Sequence, residues 1–312
     1  MTIFREDESM SNKKSIALKR AARIGRRLIH PFYSDRAFLT NRFTKMKGVA
    51  PNLDNPETFS EKLLYLNLHY RNPLETLCAD KYYVAEYVRA CGLDHILKKN
   101  YGVYQSATQI DFDALPDEFF IKCNHLSGNN MIVRKSEKPD YEYIRRFYAE
   151  MLKMNFYYFH REYCYKAIRP LIICEECLKD SKGNLPVDYK FYCFDGEPKY
   201  FMVSYGEYEH KVRNHKFDME LNSVDYHFKK ESTLPQEEVV LPENFEELVS
   251  VVKKLCKPFP HVRVDMYDVD GRIVFGELTF SSNGGVVNVY DKEYDKVIGS
   301  WIPLEKYRID MR

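Results

Sequence analysis

Apolar and polar positions along this chain follow two periods, and the switches between them mark out its elements. Thr58-Phe-Ser-Glu61 has the spacing of a capping box, and Phe59, Leu63, Leu66 and Tyr70 follow on one side of the helix it opens. A second helix is expected from Ala79 to about Ala90, with Asp80 and Lys81 in its first turn. A lysine gains nothing from the helix dipole there, which singles out Lys81. The pattern then changes to strand: Glu118 to Cys123, a loop from Asn124 to Asn130, and Met131 to Val133. A helical region around Tyr157, Tyr158 and Phe159 leads to a strand over Leu171 to Cys174. Val187 to Phe194 then alternates, Asp195-Gly196 turns, and Pro198 to Val203 returns. Two further strands are expected within the segment from Phe259 to Gly285. No internal repeat or low-complexity linker interrupts the order.

The first 50 residues read differently. From Lys13 to Ile29 seven basic residues interleave with Ile16, Leu18, Ala21, Ile24, Leu28 and Ile29 at near-helical spacing, which describes a cationic amphipathic helix. Peripheral contact with an anionic membrane through residues 13–29 and packing on the main domain are both open.

Composition narrows the classes. With 312 residues and 45% hydrophobic content the chain can bury a substantial core. A net charge of +1 supplies no global basic field, so nucleic acid is not an expected partner. Apolar runs stay short of the roughly 20 residues that span a bilayer, and the N-terminus has no apolar signal core, so a cytoplasmic location is expected, with the inner membrane face open to it. The 8 cysteines are expected as reduced thiols, and Cys174 and Cys177 form a CxxC with no second pair to complete a zinc site.

Candidate chemistry concentrates in FPHVRVDMYDVDGRIVFGELTFSSNGG, residues 259–285. Asp268 suits the first position of a type I turn and Gly271 its fourth, which predicts a three-residue loop of Val269, Asp270 and Gly271 and pairs Asp268 with Arg272. That register sets Arg263 opposite Glu277, with Asp265 a diagonal neighbour within about 7 Å on the same face. The cluster suits magnesium against a nucleotide; a surface charge ladder has the same pattern. A two-residue Asp-Gly turn would put the two carboxylates on opposite faces, so the metal assignment hangs on the loop.

The loop over Asn124, His125, Leu126, Ser127, Gly128, Asn129 and Asn130 can curl its backbone N–H groups toward an anion, as a phosphate clamp does. Lys122 precedes it within an apolar strand and needs a partner that a phosphate would supply. Glu175 and Glu176 end a buried strand and face a cleft or solvent. Asp188 and Lys190 share one face of theirs. His210, Lys211 and Arg213, with His215 and Lys216, form a basic cluster able to receive an anionic substrate, or a solvated loop.

From Asn55 to Tyr290 the ordered motifs NPETFSEKLLYLNL, ADKYYVAEYV, LPDEFFIKCNHLSGNN, EECL, DYKFYCFDGEPK and VRVDMYDVDGRIVFGELTF resemble the TupA-like branch of the ATP-grasp family. The resemblance implies an α+β ATP-grasp fold whose two α/β subdomains clamp ATP. Its parts would be a basic segment at 1–50, a helical part at 51–115, a nucleotide clamp at 116–180 and a metal-bearing subdomain at 181–312. It implies Lys81 and Lys122 as phosphate-binding lysines, the loop Asn124 to Asn130 as a flap, Glu175 to Leu178 as the hinge strand beside adenine, and Lys190 as a further nucleotide contact. Asp265 and Glu277 would hold magnesium, and Arg263 would steady the transferred phosphate.

Where many ATP-grasp chains have Glu-x-Asn, this one has Glu277-Leu-Thr279, so a third metal ligand would have to be Thr279 or Asn283. The implied activity is ATP-dependent joining of a carboxylate, a uronic acid of a bacterial surface or capsular glycan or its precursor, to an amine. A glycosyltransferase using a sugar nucleotide is the alternative; its Asp-x-Asp signature occurs as Asp268-Val-Asp270. A degenerate nucleotide-binding module is the third reading.

Overall fold

Two antiparallel sheets face one another across a cleft. They are seen in a computed structural model that describes residues 24–25, 33–206, 212–224, 234–287, 289 and 291–310. The basic stretch 13–29 lies outside the described residues apart from 24 and 25, as do His210 and Lys211.

The first sheet has the order β1-β4-β2-β3, from Asn100–Tyr104 (β1), Glu118–Cys123 (β2), Met131–Arg134 (β3) and Ile172–Glu175 (β4). Along β2, Phe119, Ile121 and Cys123 turn to one side, where the helix Tyr141–Met151 covers them with Ile144, Phe147, Tyr148 and Met151. Asp140 caps that helix by accepting from the Tyr143 N–H at 2.8 Å. The other side of the strand presents Phe120 and Lys122 to the cleft. β1 falls in the stretch expected to be helical. Its central positions are only half-buried, so no strong alternation announces it.

The second sheet has the order β7-β6-β5-β8-β9, from Val187–Phe194 (β5), Glu197–Tyr205 (β6), Arg213–Asp218 (β7), His261–Val269 (β8) and Arg272–Thr279 (β9). The helix Phe245–Cys256 buries Leu248, Val251, Val252 and Leu255 in one core with Phe191, Phe201, Val262, Val264 and Met266. Because strand side chains alternate, Asp188, Lys190, Arg263 and Asp265 are left on the cleft side. Each sheet thus spends one face on a core and the other on the site.

The capping box forms as expected: Thr58 Oγ1 accepts from the Glu61 N–H at 3.2 Å, and Glu61 Oε2 accepts from the Thr58 N–H at 3.0 Å. The helix Phe59–His69 then packs Phe59, Leu63 and Leu66 with Tyr70, Ile298 and Ile302. A helix Asp35–Lys47 precedes it and inserts Leu39 and Phe43 beside Leu53, Leu64 and Val286.

Two local expectations are corrected. The helix expected from Ala79 to Ala90 is two helices, Pro73–Ala79 and Val84–Ala90, with Lys81 in the turn between them. The Asp80 carboxylate causes the break, since its Oδ1 accepts from the N–H groups of Tyr82 and Tyr83 at 2.8 and 3.1 Å. The β8–β9 loop has two residues: Val269 pairs with Arg272, and Asp270 and Gly271 take φ values of 52° and 84°. That conformation is a type I′ turn, whose twist matches the strands better than a type I turn does. The Asp195-Gly196 turn has the same form, with φ of 50° and 78°.

Candidate active site

The two-residue turn should have put Asp265 and Glu277 on opposite faces, yet they are direct partners across β8 and β9. A bulge reconciles the two facts. Met266 pairs with Phe275 and Asp265 with Glu277, so Gly276 is an extra residue in β9 and shifts the register by one. The side chain missing from Gly276 leaves room for this, since a Cβ there would lie 2.6 Å from the carbonyl oxygen of Asp265. Beyond the bulge Arg263 pairs with Thr279, rather than with Glu277 as the three-residue loop implied.

These groups form one charged cluster. Arg263 donates from Nε and Nη2 to the two oxygens of Asp265 at 2.6 Å each, and from Nη2 to Glu277 Oε1 at 3.2 Å. Its Nη1 reaches Ser282 Oγ at 3.4 Å. Lys81 Nζ lies 3.4 Å from the other Glu277 oxygen. Burial works to raise the pKa of Glu277, but Lys81, Arg263 and Lys122 override it and hold the carboxyl at about 2. Asp265 is pushed upward by burial and by the neighbouring carboxylates of Asp188 and Glu277, against the pull of Arg263.

Lys122 reaches across the first sheet to Glu175 Oε1 at 2.6 Å, and Lys98 shares the same oxygen at 3.0 Å. Burial brings the Lys122 ammonium down to about 8. Burial opposes ionisation of Glu175 as well, and its two lysines outweigh it, holding the carboxyl at about 2. No local pattern points to Lys98, which arrives because β1 pairs with β4 and sets Asn100 opposite Glu175.

Between the sheets lies a cleft of about 520 Å³, lined among others by Lys81, Lys98, Lys122, Lys190, Asp265 and Glu277. Its size falls in the range of small-molecule sites. At one end Phe120, Ile132, Cys177, Leu178, Pro186 and Tyr267, together with Lys98, Glu175 and Glu176, line a small slot. The slot adjoins the lysines, which adjoin the carboxylates, and Arg263 stands beside them.

Not every expected site residue reaches this cleft. Gly128, with φ of 73°, and Asn130 line it, and Ser127 is exposed beside them at the loop tip. Asn124 is fully buried with its side chain engaged by Asp80, Arg169 and Leu171. His125 is buried with Nδ1 3.1 Å from Asn124 Oδ1, and Asn129 accepts from the Cys123 N–H at 3.1 Å. These three therefore build the loop rather than line the cleft. Glu176 lines the slot but is held by both terminal nitrogens of Arg272 at 2.9 and 3.0 Å. Lys190 is buried against Asp188. Arg213 is exposed and paired with Glu238 at 2.6 Å, away from the residues that line the cleft.

The donor set fits magnesium. Two hard carboxylates on one face suffice when phosphate and water complete an octahedron, and among the described residues no group of three or more His, Cys, Asp or Glu offers a fuller cage. Thr279 donates to Glu277 Oε1 at 3.1 Å and accepts from Arg263 at 3.2 Å, so its hydroxyl supports the cluster. Asn283 turns its amide to the Val286 carbonyl at 2.8 Å. The eight cysteines are free thiols.

Comparison with known proteins gives one family and several distant structures. Among solved structures, the ATP-grasp ligase PsnB with its minimal precursor shares 11% identity over 76% of this chain at a TM-score of 0.42, and this chain spans 63% of it. D-alanine–D-alanine ligase from Bacillus anthracis with ATP shares 16% over 81% of this chain and 75% of its own, at 0.44. The enzyme of the same name from Helicobacter pylori shares 12% over 78% and 66%, at 0.42. Comparison with curated proteins returned no match. The model of the TupA-like ATP-grasp family matches residues 61–303, the greater part of the chain and all of the cleft. The chain therefore belongs to the TupA-like ATP-grasp family and has the α+β ATP-grasp fold.

Proposed function

We propose that this protein is an ATP- and magnesium-dependent carboxylate–amine ligase that works through an acyl phosphate. The finer reading is that it joins an amino acid or amine to a uronic acid during assembly of a bacterial surface or capsular polysaccharide. One observation carries the ligase reading: a small, largely apolar slot adjoins a cleft that holds lysines, then two carboxylates with an arginine beside them. That sequence of chemistry matches base, phosphates and metal in order. Family membership supports the reaction type; the glycan is the family-level expectation.

The residues divide the work. Leu178 and the slot seat the base, while Lys122, Lys190 and Lys81 bind and neutralise the phosphates. The loop tip at Ser127 and Gly128 offers backbone N–H groups from above. Asp265 and Glu277 would hold magnesium, which would supply positive charge against the phosphates. Arg263 orients the cluster and offers charge where the attacking carboxylate must approach. Side chains need do no covalent chemistry, since acyl phosphate formation is driven by positioning and electrostatics.

The glycosyltransferase alternative loses its signature. Asp268 and Asp270 sit at the hairpin tip, where Asp268 accepts from the Gly271 N–H and Asp270 from the Ser181 N–H. The reading is tested by titrating magnesium with a nonhydrolysable ATP analogue into the wild type and Glu277→Gln. Magnesium-dependent binding in the wild type and its loss in the variant are expected; equal magnesium dependence would remove Glu277 from the metal site.

A further inference from the structure

We infer that Asp80 and Asn124 form a latch that sets the position of Lys81 relative to Lys122, so that two residues outside the cleft control its grip on nucleotide phosphate. The inference rests on the nucleotide reading of the cleft. Both residues sit next to the loops they govern: Asp80 precedes Lys81, and Asn124 lies two positions after Lys122 at the root of the flap.

Asn124 is 0% exposed, and its backbone and side chain together join three segments. Its carbonyl accepts from the Lys81 N–H at 3.1 Å, and its own N–H donates to the Leu171 carbonyl at 3.1 Å. Its Nδ2 donates to Asp80 Oδ2 at 2.8 Å and to the Arg169 carbonyl at 2.9 Å. Its Oδ1 accepts from the Leu171 N–H at 2.7 Å. Asp80 uses its other oxygen to shape the turn through the N–H groups of Tyr82 and Tyr83. The turn holding Lys81, the flap root after β2 and the start of β4 are therefore fastened at one amide.

The fastening matters because the two lysines answer to different sheets. Lys122 is paired with Glu175 in the first sheet, and Lys81 with Glu277 in the second. Asn124 is where the turn bearing Lys81 is bonded to the strand bearing Lys122. The far end of the flap is held separately, since the Tyr148 hydroxyl donates to the carbonyls of Asn129 and Ile121 at 2.7 and 2.8 Å. Both roots are fixed, and the tip at Ser127 and Gly128 is exposed. Asp80 and Asn124 are positioning residues: they act through the lysines, and both are buried away from the cleft.

A polarity swap separates this role from direct contact. Asp80→Asn sets two amide donors against each other, and Asn124→Asp sets two carboxylates against each other. The double substitution restores a donor facing an acceptor between positions 80 and 124 with the net charge unchanged, while the Arg169 carbonyl loses its donor. Affinity for magnesium and a nonhydrolysable ATP analogue is measured by calorimetry on the full chain, together with melting temperature. Each single substitution should weaken binding by about tenfold or more, and the double substitution should bind more tightly than Asn124→Asp alone. Should Asn124→Asp not fold, Asp80→Asn still decides.

Three results would count against the latch or its premise. Unchanged affinity in Asp80→Asn overturns the latch. A double substitution no tighter than Asn124→Asp also overturns it, because the contact between positions 80 and 124 would then not set the affinity. No binding by the wild type overturns the nucleotide reading itself.

Discussion

Asp265 stands directly across from Glu277, and the residue responsible is Gly276, which bulges out of β9 and turns an antisymmetric register into a shared face. A methyl group at Gly276 would meet the Asp265 carbonyl oxygen at 2.6 Å and the Tyr267 ring at 3.1 Å. Backbone has to move, and the backbone that moves carries both carboxylates. Gly276→Ala should cost about 1–3 kcal/mol in denaturant unfolding and weaken magnesium-dependent nucleotide binding. A variant that is destabilised but still binds with wild-type magnesium dependence would show that the bulge does not set the metal geometry.

The Lys122 ammonium makes the cleft sensitive to mildly alkaline pH. Burial lowers it from 10.5 to about 8. Between those values the unfolded chain keeps a proton that the folded site gives up, so this group favours folding more as pH rises from 8 to 10.5. Phosphate affinity runs the other way, because only the ammonium form pairs with phosphate. Nucleotide affinity should fall up to about tenfold per pH unit above pH 8, while Lys122→Arg, whose guanidinium stays charged, should flatten the profile. A wild-type profile level to pH 9.5 would contradict it.

Much of the layout was legible from local pattern. β2 and β5, the Asp195-Gly196 turn and the Thr58 capping box all follow from alternation and turn residues close in sequence, whereas Arg263, Asp265 and Glu277 come together through a bulge and not through the expected loop. The errors came from choices that tertiary contacts decide. An Asp-Val-Asp-Gly segment suits loops of two or three residues, and a bulge five positions beyond the turn, at Gly276, restored the parity. Asn124 and His125 sit in a loop with phosphate-clamp composition, but the turn bearing Lys81 and the start of β4 claimed the Asn124 side chain. Lys98 carries no local signal, because its nearness to Glu175 arises from a strand pairing that spans more than seventy residues.

That pairing gives Lys98 a measurable part. Glu175 is buried and shares one oxygen between Lys122 and Lys98. Phosphate competing for Lys122 leaves Glu175 to Lys98, whereas in Lys98→Met the buried carboxylate would hold Lys122 back. This variant should lose about 1–2 kcal/mol of stability and bind nucleotide more weakly, and adding Glu175→Gln should recover the binding. Weak binding that Glu175→Gln does not relieve would mean that Lys98 acts on the nucleotide without Glu175.

The central claim is that ATP is spent to activate a carboxylate. Its most direct measurement is ADP release by the wild-type protein with magnesium and a panel of uronic acids, with hydroxylamine present to trap an acyl phosphate as hydroxamate. The account predicts ADP and hydroxamate in equal amounts with at least one uronic acid, dependent on ATP and abolished in Glu277→Gln. Release of a nucleoside diphosphate from a sugar nucleotide with no ATP consumed, or ADP formed without hydroxamate across the panel, would contradict it.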